Sequence, residues 1–96
     1  MPHYVVLYKL SDQGIRNIRQ TVERARDSQA KSEQLGFAVR EIYWTQGQYD
    51  LVVIMEAPDE QTMMAGLMNI GAAGNARSET LRAFTIDEME MVVRRM

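Results

Sequence analysis

No cysteine occurs in this sequence, which excludes disulfides, thiolate nucleophiles and thiolate metal sites. Histidine occurs once, at His3. One imidazole without cysteine cannot build a zinc site, and no His-Glu-x-x-His pairing exists. Neither a metal nor a cofactor is therefore expected. Also missing is any apolar run near the roughly 18 residues that a membrane helix requires. The start lacks the basic-then-apolar pattern of a secretory leader. These absences favour a cytoplasmic protein with no membrane partner. A basic excess is absent as well: 11 Lys+Arg stand against 13 Asp+Glu, for a net charge of −2. The main basic cluster, Arg16, Arg19, Arg24, Arg26 and Lys31, is interleaved with Glu23, Asp27 and Glu33. Mixed signs of this kind read as a solvated helix face, so nucleic acid is not expected as a partner.

What is present is ordinary for a folded domain: 96 residues, 46% apolar and 25% charged. That length predicts a single domain over residues 1–96, small enough to bury only about two-thirds of its unfolded surface. His3 to Leu10 is rich in β-branched and aromatic residues and reads as a strand. Ser11-Asp12-Gln13-Gly14 offers turn and cap chemistry. Ile15, Ile18, Val22, Ala25 and Gln29 follow at helical spacing, predicting one helix that ends just before Gly36. A hairpin is expected next, with strands over Phe37–Thr45 and Tyr49–Ala57 joined by Gln46-Gly47-Gln48. Asp59 is placed to cap a helix carrying Met63, Leu67 and Ile70, which ends near Gly71 or Gly74. A fourth strand over Ala76–Thr85 and a short C-terminal helix over Ile86–Met96 complete the chain.

The order is β-α-β-β-α-β, the ferredoxin-like arrangement of an α+β domain with a four-stranded antiparallel sheet. Right-handed crossovers put the first and third strands in the centre. Both are apolar on both faces. The first has Val5 and Leu7 on one side with Tyr4, Val6 and Tyr8 on the other; the third has Leu51, Val53 and Met55 opposed to Val52 and Ile54. Helices cover only one side of such a sheet, and a bare apolar face of that size invites association. A second copy is the simplest cover, so a homodimer or higher homo-oligomer is expected.

The stretch Tyr43-Trp44-Thr45-Gln46-Gly47-Gln48-Tyr49-Asp50-Leu51-Val52-Val53 resembles the signature of the GYD-domain family, named for Gly-x-Tyr-Asp. Flanking segments agree: Lys9 to Ile15, Glu56 to Asp59, and Gly74 to Thr85. The likeness runs along nearly the whole chain, although Gln20 to Ser32 carries no feature of its own. It implies a dimeric α/β barrel and no particular function. More distantly, the hairpin and the Thr-bearing last strand are similar to the ligand-sensing domain of Lrp/AsnC-type regulators. Those domains bind small molecules at subunit contacts. These 96 residues are not expected to hold their DNA-binding module as well.

The candidate ligand residues are Gly47, Tyr49, Asp50, Tyr43, Trp44, Thr80 and Arg82. Gly47 and Asp50 also suit a purely structural hairpin, with Asp50 bonding nearby amides. Tyr43 and Trp44 must face opposite sides of one edge strand, one toward the helices and one toward a partner sheet. Arg82, alternating with Thr80 and Phe84, is read as lying on the partner side, paired with Glu56 or Asp50 or with an anion. Asp50 and Glu56, six residues apart on one strand face, are roughly 20 Å apart, too far for paired acid–base work. His3 is expected near an edge; the resemblance to haem-binding α/β barrels gives it a minor second reading. Met63, Met64, Met68, Met89, Met91 and Met96 could fill a pliable cavity between helix and sheet. Gly71 to Asn75 ends a helix and lacks a lysine, so it is not a phosphate loop. The leading expectation is a homo-oligomeric module that binds or senses a small molecule. The alternatives are a cofactor-free oxygenase or isomerase of the α/β-barrel kind and a ligand-free assembly component.

Overall fold

A computed structural model describes all 96 residues. The strands are β1 (His3–Leu10), β2 (Ala38–Trp44), β3 (Leu51–Glu56) and β4 (Ala76–Ala83). The helices are α1 (Asp12–Arg16), α2 (Thr21–Gln34), α3 (Glu60–Ala73) and α4 (Ile86–Arg94), with a 3₁₀ turn at Ile18–Gln20. The sheet order is β2-β3-β1-β4 and every pair is antiparallel. This is the ferredoxin-like arrangement expected, with the two doubly apolar strands in the middle. No helix is long and apolar enough to cross a membrane.

The strand register divides the sheet into two faces. Tyr4, Val6 and Tyr8 of β1 lie beside Met55, Val53 and Leu51 of β3. With Phe37, Ala57 and Met63 they form the core beneath α2 and α3. The other face carries Val5, Leu7, Val52 and Ile54, all half-buried, together with the more exposed Tyr43 and Leu81. No helix covers its middle; the first turn of α4 reaches only its His3 end, where Glu88 lies 3.6 Å from His3.

Local signals set most boundaries. The Ser11 side chain accepts from Gly14 N at the start of α1, and Asp59 accepts from Thr62 N at 2.7 Å at the start of α3. Thr85 and Glu88 form a reciprocal capping box at the start of α4. Such caps are worth about 1 kcal/mol each. The Thr62 N–H and the Thr62 hydroxyl both donate to the Asp59 carboxyl and hold it below the usual carboxylate range.

Two elements depart from expectation. The single helix predicted from Ile15 to the residue before Gly36 is broken at Asn17, whose φ of −102° and ψ of 19° are not helical. Its intended apolar stripe is not buried: Ile15, Ile18 and Val22 are all exposed. The break lets the first turn stay pinned to the start of β4, through Ser11 N to Asn75 O at 2.9 Å, while α2 lies along β2. The second departure is in β2, where the register slips between Val39 and Glu41. Arg40 is the extra residue of a β-bulge, which re-aims its side chain.

Only ten residues of 96 are buried, a core too thin to leave much margin for the isolated chain. The radius of gyration is 14.4 Å, against about 12.5 Å for a compact chain of this length. α4 has no extensive packing against any other element.

Candidate functional site

The Gly-x-Tyr-Asp hairpin is built by backbone capture. Thr45 N donates to Asp50 O at 2.8 Å and Thr45 Oγ1 to Tyr49 O at 2.6 Å, closing a loop longer than the three-residue link expected. Gly47 sits at φ 107°, in the left-handed region where a side chain is strained. Asp50 N donates to Tyr8 O, and two residues on, Leu10 N points to the same side, beyond the end of β3. The Asp50 carboxylate meets it there, with Oδ2 accepting at 2.8 Å. A side chain thus adds one rung to the β1–β3 ladder. Asp50→Ala should strand that part-buried N–H and cost about 1–3 kcal/mol, read from the urea midpoint; Asp50→Asn, which keeps a carbonyl acceptor, should recover most of it.

Tyr49 lies at the rim of the open sheet face. Its hydroxyl donates to Glu79, which raises the Tyr49 pKa above its ordinary value, and the Lys9 ammonium sits 5.5 Å from its ring. Tyr43 also faces the open side, opposite Val52. Trp44 faces the helices, where Nε1 donates to Thr21 Oγ1 of α2 at 3.0 Å.

Thr80 and Arg82 are not on the partner side as expected. They lie opposite Val6 and Tyr4, hence on the helix-side face. The Arg82 guanidinium stands 5.6 Å from the Tyr4 ring and 4.5 Å from the Phe84 ring, and bonds the carbonyls of His3 and Ala83. It pairs with no carboxylate. The seven candidates thus fall into four groups: Gly47 and Asp50 at the hairpin, Tyr43 and Tyr49 on the open face, Trp44 against α2, and Thr80 and Arg82 on the helix side of β4.

The buried charge on the open face is Glu56, nine-tenths buried. Its Oε2 accepts from Arg40 Nε at 2.6 Å, and Oε1 lies 3.5 Å from His3 Nε2. The Arg40 bond holds the Glu56 carboxyl below its ordinary pKa. His3 is on a central strand, not an edge, and its Nδ1 lies 3.6 Å from Glu88 of α4. The bulge thereby supplies the counter-ion that a carboxylate on this face requires.

On the opposite side lies a cleft of about 500 Å³ between α2, α3 and the sheet. A second pocket of about 170 Å³ continues it beneath α2. Tyr8, Arg24, Ser28, Ser32, Met55 and Ile70 line both. The cause is compositional. The side of α2 toward the sheet carries Thr21, Ala25, Ser28, Gln29 and Ser32, too short or too polar to fill the gap. Of the six methionines expected in a cavity, only Met63 lines this one, joined by Met55; Met64, Met68, Met89, Met91 and Met96 are exposed. The sequence suggested a methionine-lined cavity between helix and sheet but not its lining from α2, because a helix face of small polar residues looks like surface when its neighbours are unknown.

The GYD domain family model matches residues 4–93. The chain is also 29% identical over 91 residues to the glutamine synthetase and cystathionine beta-lyase binding protein of Thermus thermophilus, covering 93% of this chain and 95% of that protein. No solved structure matches significantly.

Proposed function

The chain belongs to the GYD-domain family, and from that premise we propose that it is a homo-oligomeric binding module of the cytoplasm whose partner is a metabolic enzyme. The observation that carries this reading is a pair of apolar surfaces that the chain does not cover. One is the open sheet face, which a second copy covers. The other is α4, where Ile86, Met89, Val92 and Val93 recur at helical spacing and, with Met96 just past the helix, are all exposed. A protruding amphipathic helix of this pattern suits insertion into a groove of another protein. Methionine, at Met89, Met91 and Met96, makes such a surface adaptable. The relative from Thermus thermophilus is named for two different enzymes, and an adaptable surface is what two partners require.

The reading divides the two surfaces between two occupants, and one experiment separates them. Met89→Glu with Val92→Glu should leave the oligomer mass unchanged by light scattering. Surface plasmon resonance should show at least tenfold weaker binding to glutamine synthetase from the same organism. A fall to monomer would put α4 on the second copy instead. Failure of the unaltered protein to bind either glutamine synthetase or cystathionine β-lyase would remove the enzyme-partner reading. The cleft beneath α2 favours a second role, in small-molecule binding.

A further inference from the structure

We propose that the cleft beneath α2 is a binding site for an amphipathic carboxylate, with the acid group between Arg24 and Lys31 and its apolar tail on the sheet. The proposal deepens the small-molecule role and is independent of the enzyme partner.

Three observations converge on it. The floor is apolar and already ordered: Phe37, Met55 and Met63 are buried, and Leu67 and Ile70 of α3 form the far wall. The volume, about 500 Å³, falls within the range of small-molecule sites. The rim is charged on one side only. Arg24, Asp27 and Lys31 of α2 all border the cleft, and none of them takes part in an ion pair. Two cations against one carboxylate leave a charge of +1 there, the complement of a monoanion. Arg24 is tethered only by a long bond, 3.4 Å, to Gln20 Oε1.

Between rim and floor stand hydroxyls. Ser28 and Ser32 face the cleft from α2, and Tyr8 rises from the central strand. Burial alone pushes the Tyr8 hydroxyl up to about 12, so it remains a donor at neutral pH. A helix side made of small polar groups above an apolar floor is a poor way to fill a core and a suitable way to line a pocket. The apolar wall takes a hydrocarbon tail, and the donors and cations take a head that is anionic and small.

The test uses the full chain with decanoate as probe and decan-1-ol as its uncharged match. Trp44, the one tryptophan, bonds α2 through Thr21 and reports by fluorescence; calorimetry gives the affinity independently. Saturable binding of decanoate, at least tenfold tighter than the alcohol, is expected. Arg24→Gln with Lys31→Gln should erase that preference and leave the weak alcohol binding unchanged. Ser28→Leu with Ser32→Leu should fill the cleft, abolish binding of both probes and raise the melting temperature. Absence of saturable decanoate binding would overturn the proposal. So would equal affinity for acid and alcohol, or unchanged affinity in either double variant. Oligomer mass and enzyme capture are separate readouts, so loss of either leaves this result intact.

Discussion

Ile54→Lys should turn the proposed oligomer into a folded monomer. Ile54 sits at the middle of β3, between Val5 of β1 and Glu41 of β2, on the sheet face that no helix covers. In the separated chain the new ammonium can reach water and the Glu41 carboxylate, so the fold keeps its stability. In a sheet-to-sheet assembly the same ammonium is buried, and across a two-fold axis it is buried twice. Desolvating unpaired charge costs several kcal/mol, which corresponds to at least about a hundredfold in dissociation constant. Light scattering at tens of micromolar should therefore report about one chain mass, 11.0 kDa, for the variant and a multiple of it for the parent. A parent that is already monomeric, or a variant that stays associated, would show that the open face is not the interface.

Gly14→Ala should be the most damaging single methyl in the molecule. The usual expectation has the opposite sign, because alanine in a helix is favoured over glycine by about 1 kcal/mol. Gly14 is buried in α1, and a Cβ built on it would overlap the Asn75 carbonyl oxygen, with the carbonyl carbon at 3.1 Å and Leu10 Cβ at 3.3 Å. The opposing group is backbone and cannot swing away. It is also tied in place, since Asn75 O accepts from Ser11 N, and Ser11 Oγ and Gln13 Nε2 donate to the Gly74 and Ala73 carbonyls. Relief of the clash must pull α1 from the α3–β4 junction and break several of these bonds. A cost of about 3 kcal/mol or more follows from overpacking and lost hydrogen bonds together. For a domain of this size that lowers the melting temperature by about 12 °C or more, measured by circular dichroism. A change within 1 kcal/mol in either direction would mean that α1 is free to move.

The same two regions show what could be read from the residues and what could not. The strands of the centre announced themselves because Val5, Val6, Leu7 and Val52, Val53, Ile54 leave no polar side. Ser11, Asp59 and Gly74 marked helix ends through chemistry that acts within a few residues. The close approach of Gly14 to Asn75 joins positions 61 apart, and no local pattern carries it. The side taken by Arg82 was misjudged for a related reason. β4 has Arg77 and Glu79 on one face and Thr80 and Arg82 on the other, so alternation cannot assign it; its phase comes from the ladder with β1. The orientations of Tyr43 and Trp44 depend on the bulge at Arg40, one extra residue that resets the parity of everything after it. The candidate cleft was the least legible feature. It exists because of what α2 lacks on the side toward the sheet, and a shortage of bulk means something only once the opposing surface is known.

The bulge at Arg40 also governs how the sheet could be extended sideways. β2 and β4 are the two free edges, and a bulged, twisted edge is a poor template for another strand. That leaves β4 as the one edge with eight residues in unbroken register. A chain with a single usable edge can join one neighbour through it, edge to edge about a two-fold axis, and the pair then has no usable edge left. Partly unfolded or crowded copies that pair this way therefore stop at two, where a chain with two open edges could grow into a fibre.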